Sequence, residues 1–172
     1  MSQKKSILFI TLTAMLVAMQ VVLGNILQVP FMEKQYNFGF QPILIAGWLL
    51  GAPSAMLVGA LGDVIGSHLF PQGAYFPGFT LTNVLVGLCC GLILRRGKPT
   101  LLRVAITVVI SMLINWLLNS LWLSITVPIA GGRSYWGWLI KRGPSYLVEI
   151  PANILIGFPL LASLRRAKIE LK

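Results

Sequence analysis

Long apolar stretches alternate with short polar punctuation along this chain of 172 residues. Six stretches stand out, at about 6–27, 38–50, 53–69, 79–94, 101–127 and 146–164. A bilayer-spanning helix needs about 20 apolar residues, fewer where the span is short or tilted. The pattern therefore predicts six transmembrane helices in one membrane domain covering 1–172, an all-α integral membrane protein. The second and third stretches are separated only by Gly51-Ala52-Pro53-Ser54. Gly ends a helix well and Pro starts one well, so this is a tight hairpin. Three polar segments remain between helices on the other side: 28–37, 70–78 and 128–142. They are rich in aromatics, Gly and Pro, among them Tyr36, Tyr75, Phe76, Tyr135, Trp136 and Trp138.

Composition supports lipid as the solvent. Hydrophobic residues make up 56% of the chain, only 10% is charged, and the mean hydropathy is +0.83. A soluble domain of this length cannot hide so much apolar surface. The first stretch resembles a signal peptide in its Lys4-Lys5 lead, but it is longer than a signal core and no small-x-small cleavage site ends it. It is expected to be a retained helix. Cys89 and Cys90 are adjacent in an apolar run and have no metal-ligand spacing, so they are expected to be small buried residues, with no metal and no cofactor.

Charge then orients the helices. Ten of the fourteen Lys and Arg fall into three clusters: Lys4 and Lys5; Arg95, Arg96, Lys98 and Arg103; Arg165, Arg166, Lys168 and Lys172. An even number of crossings separates these clusters, so all share one side. The excess of basic residues in short cytoplasmic loops makes that side the cytoplasm, with both termini there. The formal charge of +10 does not indicate nucleic acid. It punctuates apolar helices instead of forming a basic face, and it suits anionic lipid head groups. Lys34, Arg133, Lys141 and Arg142 are left on the outer side as candidates for function.

Ionisable groups inside the membrane are expensive and point to function. Asp63 lies in Leu61-Gly-Asp-Val-Ile-Gly66, with His68 five residues on, and Glu149 follows Tyr146 by three. Two readings fit each carboxylate. Asp63 is either a hydrogen-bonded structural group against a neighbouring helix or part of a ligand cavity. Glu149 either pairs locally with Arg142 or Lys141 or shares that cavity. Asn115 and Asn119 are four apart and share a helix face beside Trp116, as Thr80 and Asn83 do at spacing three. The aromatic loops read either as an interfacial belt or as a cover over a ligand mouth. There is one His and no Ser–His–Asp or Cys–His arrangement. No Gly-rich loop runs into Lys-Ser or Lys-Thr, so there is no nucleotide-hydrolysing P-loop. Aromatics, amides, two carboxylates and rim cations suit binding of a flat, polar, partly anionic molecule better than bond-breaking. Competing readings are an autonomous ion-coupled carrier and, least favoured, a membrane-embedded enzyme.

Pairs of small residues four apart recur at Ala14/Ala18, Gly47/Gly51, Ala55/Gly59, Gly62/Gly66 and Gly87/Gly91. Such strips permit close helix contact. Internal packing is expected for all but the first. The Ala14/Ala18 strip, flanked by Thr11 and Thr13, serves either the same purpose or the docking of another membrane protein.

Four motifs carry a family resemblance: Phe38-Gly-Phe-Gln-Pro-Ile-Leu-Ile-Ala-Gly47, Leu50-Gly-Ala-Pro53, Val58-Gly-Ala-Leu-Gly-Asp63 and Pro71-Gln-Gly-Ala-Tyr-Phe-Pro-Gly-Phe-Thr-Leu-Thr82. Together they resemble the substrate-binding S components of energy-coupling factor (ECF) vitamin transporters. Tyr75-Phe-Pro-Gly-Phe-Thr-Leu-Thr82 is most like the folate-specific FolT members. The likeness is densest over 38–94. Pantothenate and other S components share an early Gly-Pro-type hairpin, so another vitamin such as pantothenate is the alternative ligand; here that hairpin reads Gly51-Ala-Pro53, with Ala52 inserted as a minor departure. The resemblance implies a six-helix bundle in a bacterial cell membrane that captures its vitamin near the outer surface and has no ATPase of its own. It implies partners as well, a transmembrane coupling subunit and two ATPases, with the S component toppling in the membrane to deliver its cargo. Ala14 and Ala18 resemble the motif by which S components dock on the coupling subunit. On this reading Asp63, then Glu149, holds the pyrimidine edge of a pterin. Tyr75, Phe76, Phe79, Trp116 and Tyr146 supply aromatic surface. Arg133, Lys141 and Arg142 face the anionic tail, and His68, Thr80, Asn83, Asn115 and Asn119 complete the lining.

Overall fold

The computed structural model describes residues 3–31, 34–71, 75–95, 98–127 and 134–167. Among the described residues there are six α-helices: α1 (Gln3–Val21), α2 (Phe40–Leu49), α3 (Ala52–Leu69), α4 (Pro77–Leu94), α5 (Leu101–Thr126) and α6 (Tyr135–Arg166). Among the described residues four stretches are long and apolar enough to cross a membrane: Ser6–Ile26, Pro77–Leu94, Leu101–Thr126 and Tyr135–Arg166. α2 is apolar but short, at 10 residues. Large apolar side chains point outward along the helices; Leu147 is 76% and Leu155 73% exposed, as expected of a multi-pass protein whose solvent is lipid.

Three segments differ from the sequence expectation. The first apolar stretch is not one regular helix to residue 27: α1 ends at Val21 and continues as a π-helical turn, Val22–Ile26. The segment 28–37 is not a plain loop within an all-α chain. It forms an antiparallel hairpin of β1 (Gln28–Phe31) and β2 (Lys34–Asn37), in which Val29 pairs with Tyr36. Its exit is tied back to the π-turn by Phe38 N–H donating to Leu23 O at 3.0 Å. Last, the helix expected at 146–164 begins eleven residues earlier, at Tyr135, so the supposed loop 128–142 is helical over its described C-terminal part. Ser134 caps this helix by accepting from Gly137 N–H at 3.4 Å. Pro144, Pro151 and Pro159 lie inside it, and Gly143-Pro144 reads as a break in sequence. In a membrane helix neighbouring groups re-satisfy the backbone that proline frees, and the helix continues.

α3 packs against α4 and α1, α5 against α4 and α6, and α2 against α3, α4 and α6. The α2–α3 turn is as tight as expected. Gly51 adopts φ +88°, a conformation L side chains rarely reach, and Pro53 sits in the first turn of α3. A Cβ at Gly87 would run into the Ala55 backbone and one at Gly91 into Ala52, so α3 and α4 touch backbone to backbone. Leu44, Val58, Val86, Val104, Val108 and Leu161 form the buried centre. Thr13 lies 3.3 Å from Ser54, Gly51 abuts the Arg95 side chain, and Gly157 faces Val104. These contacts gather the Gly51 turn, the end of α4, the start of α5 and the end of α6 at one end of the bundle. The π-turn, the hairpin and the start of α6 lie toward the other.

Candidate functional site

Toward that second end the helices surround a cavity of about 270 Å³. This is near the lower edge of the ~300–1,000 Å³ typical of small-molecule pockets. Its wall is unusually polar for a membrane bundle. Gln20, Asn25, Asn37, Asn83, Asn115, Asn119 and Asn153 bring amides, Asp63 and Glu149 carboxylates, and Arg142 a guanidinium; Phe40, Ile43, Val86, Met112 and Tyr146 add apolar area.

On the α3–α4 side the polar groups answer one another. Asp63 accepts from Thr80 Oγ1 at 2.5 Å and from Asn83 Nδ2 at 3.0 Å. Thr80 spends its one proton on Asp63, so the Tyr75 hydroxyl, 2.9 Å away, donates to Thr80. The Tyr75 ring in turn meets His68 at 5.1 Å between centroids. A chain of contacts thus runs from two exposed side chains to a carboxylate in the cavity wall. Phe76 packs on Phe79 and Trp122, and Trp122 Nε1 donates to Thr82 Oγ1 at 3.0 Å, closing the base of this cluster.

On the other side satisfaction is incomplete. Asn119 donates to Asn115 Oδ1 at 3.1 Å and Asn115 to Ser111 O at 3.1 Å, a ladder within α5 that needs no second helix. Its upper end, Asn119 Oδ1, has no partner among the described residues. Arg142 Nη2 donates to Tyr146 OH at 3.1 Å, its guanidinium lies 5.7 Å from that ring's centroid, and its buried Nη1 has no partner among the described residues. The same holds for Gln20 Oε1, in α1. Below them Gln41 Nε2 donates to Asn153 Oδ1 at 3.0 Å, and Asn153 Nδ2 to Glu149 O at 2.9 Å, tying α2 to α6. A buried polar atom without a partner costs roughly 1–3 kcal/mol, and three residues of this one cavity wall each carry such an atom.

Of the side chains singled out in sequence, Asp63, Asn83, Asn115, Asn119, Arg142, Tyr146 and Glu149 line the cavity together. Thr80 stands behind Asp63. His68, Tyr75, Phe76 and Phe79 form the aromatic group beside it. Trp116 packs on Tyr146 at 6.2 Å and donates to Leu139 O, outside the polar cavity. Arg133 lies outside the described residues. Lys141 sits 6.0 Å from the Trp138 ring and is not in the wall. The sequence reading passed over Gln20, Asn25, Asn37 and Asn153, although an amide within an apolar stretch is itself a signal for Gln20, Asn25 and Asn153. Ala14 and Ala18 are both exposed, whereas the other four small pairs are buried at helix contacts.

Comparison with known proteins identifies the family and the fold. A family model described as the ECF-type riboflavin transporter S component matches residues 4–166. The folate transporter FolT of Clostridium novyi is 34% identical over 113 residues, which cover 65% of this chain and 66% of that relative, just under two thirds of its length. FolT of Leuconostoc mesenteroides is 34% identical over 154 residues, 87% of this chain and 82% of the relative. A crystal structure of FolT bound with folic acid superposes with a TM-score of 0.77 at 29% identity, covering 90% of this chain and 92% of that one.

Proposed function

The chain belongs to the S components of ECF-type transporters, a family of transport components and not of enzymes, and we propose that it captures folate at the outer face of a bacterial cell membrane for ATP-driven uptake. The observation that carries this reading is the polar cavity with its three unpartnered buried atoms, in a fold shared with a folic acid-bound FolT. A pterin is flat and edged with donors and acceptors, and its glutamate tail is anionic. Asp63, pre-oriented by Thr80 and Asn83, and Glu149 meet the amine donors of the pyrimidine edge. The unpaired Nη1 of Arg142 meets a carboxylate of the tail by a charge-assisted bond. Tyr146 and Phe40 supply flat apolar area.

Delivery requires a transmembrane coupling subunit and, through it, two ATPases. We assign docking to the Ala14/Ala18 strip, which supports this role by being exposed on α1 with Ile10 and Met15 around it. Both termini and the basic clusters are assigned to the cytoplasm, on the distribution of Lys and Arg. Cysteines placed at 3, 97 and 170 should resist an impermeant reagent in intact cells, and labelling would overturn that topology.

The wording of the matching family model favours a second reading, riboflavin, also a flat heteroaromatic. Titration of the purified protein with folic acid, riboflavin and pantothenate, followed by tryptophan quenching, separates the vitamins. Saturable binding of folic acid alone is expected. Binding of riboflavin or pantothenate instead would replace the ligand but keep the family role. ATP-independent transport in vesicles lacking ATPases would favour an ion-coupled carrier.

A further inference from the structure

The polar atom hardest to explain as framework is in α1. Gln20 is only 7% exposed, sits within an apolar stretch, and lines the cavity with its Oε1 buried and unpartnered among the described residues. It is held there by shape. A Cβ added at Gly62 would collide with the Gln20 amide, so the missing side chain at Gly62 is the seat on which that amide rests. One turn on, a Cβ at Gly66 would meet Asn25 Nδ2, and Asn25, placed by the π-turn Val22–Ile26, lines the same cavity. π-turns inside helices concentrate at functional sites. Asn25 is anchored, because its Nδ2 donates to Val21 O at 3.1 Å. Gln20 Oε1 has no such anchor. The neighbouring carboxylate differs again, since each oxygen of Asp63 already accepts from α4.

We propose that Gln20 is a ligand-reading residue, its amide pairing with the lactam edge of the bound heterocycle. Oε1 accepts the ring N–H and Nε2 donates to the adjacent ring carbonyl. A side-chain amide is the group whose donor and acceptor spacing matches such an edge, as it does when Asn or Gln reads adenine. The inference rests on the folate reading above, because the pterin ring of folic acid carries this lactam. It gives α1 a direct part in reading the ligand, and it makes Gly62 a positioning residue that acts through Gln20.

The test compares the wild type with Gln20→Leu and Gln20→Met, full chains purified in detergent. Each is titrated with folic acid and, separately, unfolded by heat without ligand. Loss of two hydrogen bonds to a buried edge should weaken folic acid binding roughly 10- to 100-fold in both variants. The unfolding midpoint without ligand should stay equal or rise, since an apolar side chain removes a buried unpartnered acceptor. A purely structural amide would move the midpoint downward. Folic acid affinity equal to wild type in either variant overturns the proposal. So does a fall in midpoint together with affinity, or failure of both variants to fold, which would make Gln20 framework. If the wild type itself does not bind folic acid, the folate reading falls first, and the lactam assignment with it.

Discussion

The α3–α4 half of the molecule and the half contributed by α1, α5 and α6 obey different rules. Within α3 and α4, no buried side-chain N or O atom among the described residues is left without a partner, and the small residues are pressed against a neighbour. Asp63 is held twice, and Gly87 and Gly91 lie on the backbone of α3. In the other half Gln20 Oε1, Asn119 Oδ1 and Arg142 Nη1 have no partner among the described residues, and Ala14 and Ala18 are exposed. Folding satisfies the buried polar groups of the first half, Asp63 among them. The second half is the one to which the proposed ligand and the proposed partner helix are assigned.

The comparison can be broken most sharply at the outer strip. Ala14→Trp and Ala18→Trp should abolish ATP-dependent uptake when the coupling subunit and ATPases are co-expressed, because membrane helices associate through close packing that a large side chain prevents. Folic acid binding by the isolated variants should be unchanged. Unfolding or weaker binding would return this strip to internal packing.

A smaller but still large effect is expected where the first half is tightest. Gly87→Leu forces a side chain into the Ala55 backbone and should cost about 3 kcal/mol or prevent accumulation of folded protein, judged by size-exclusion chromatography and thermal unfolding. A wild-type profile would show that α3 and α4 need not touch.

Asp63→Leu should cost about 2 kcal/mol, since it strands the Thr80 and Asn83 donors. Here the unfolding midpoint without ligand should fall, the opposite of what is expected for Gln20→Leu. An unchanged midpoint would show that the Thr80 and Asn83 bonds to Asp63 do not hold α3 to α4.

The mildest effect is expected at the mouth. Arg142→Gln should weaken folic acid binding about 10-fold, one charge-assisted bond, with little change in stability. Pteroate, which lacks the glutamate tail, should bind the variant and the wild type alike. Equal weakening for both ligands would show that Arg142 does not read the tail.

Much of this frame was legible in advance. Each of the six apolar stretches contains a helix, and Gly51-Ala-Pro53 marked the turn, because glycine and proline report backbone conformation directly. Asp63, Asn83, Asn115, Asn119, Arg142, Tyr146 and Glu149 were all found as costly groups in or near apolar stretches, and they do line one cavity. The hairpin at 28–37 and the early start of α6 were not legible. Both depend on neighbours, on the tie from Phe38 to Leu23 and on a proline-containing helix that continues past Gly143-Pro144.

By itself, then, the sequence determined where the chain is apolar, where its charges cluster, and which polar residues are expensive to bury. Only the tertiary structure decided which of those residues are satisfied. The reason is physical. In a soluble helix the apolar stripe points to the core, but here lipid and core are equally apolar, so periodicity does not say which face is inside. Whether an amide such as Gln20 meets a partner, as Asn153 meets Gln41, or faces a cavity is set by where the missing side chains of Gly62 and Gly66 let the helices close.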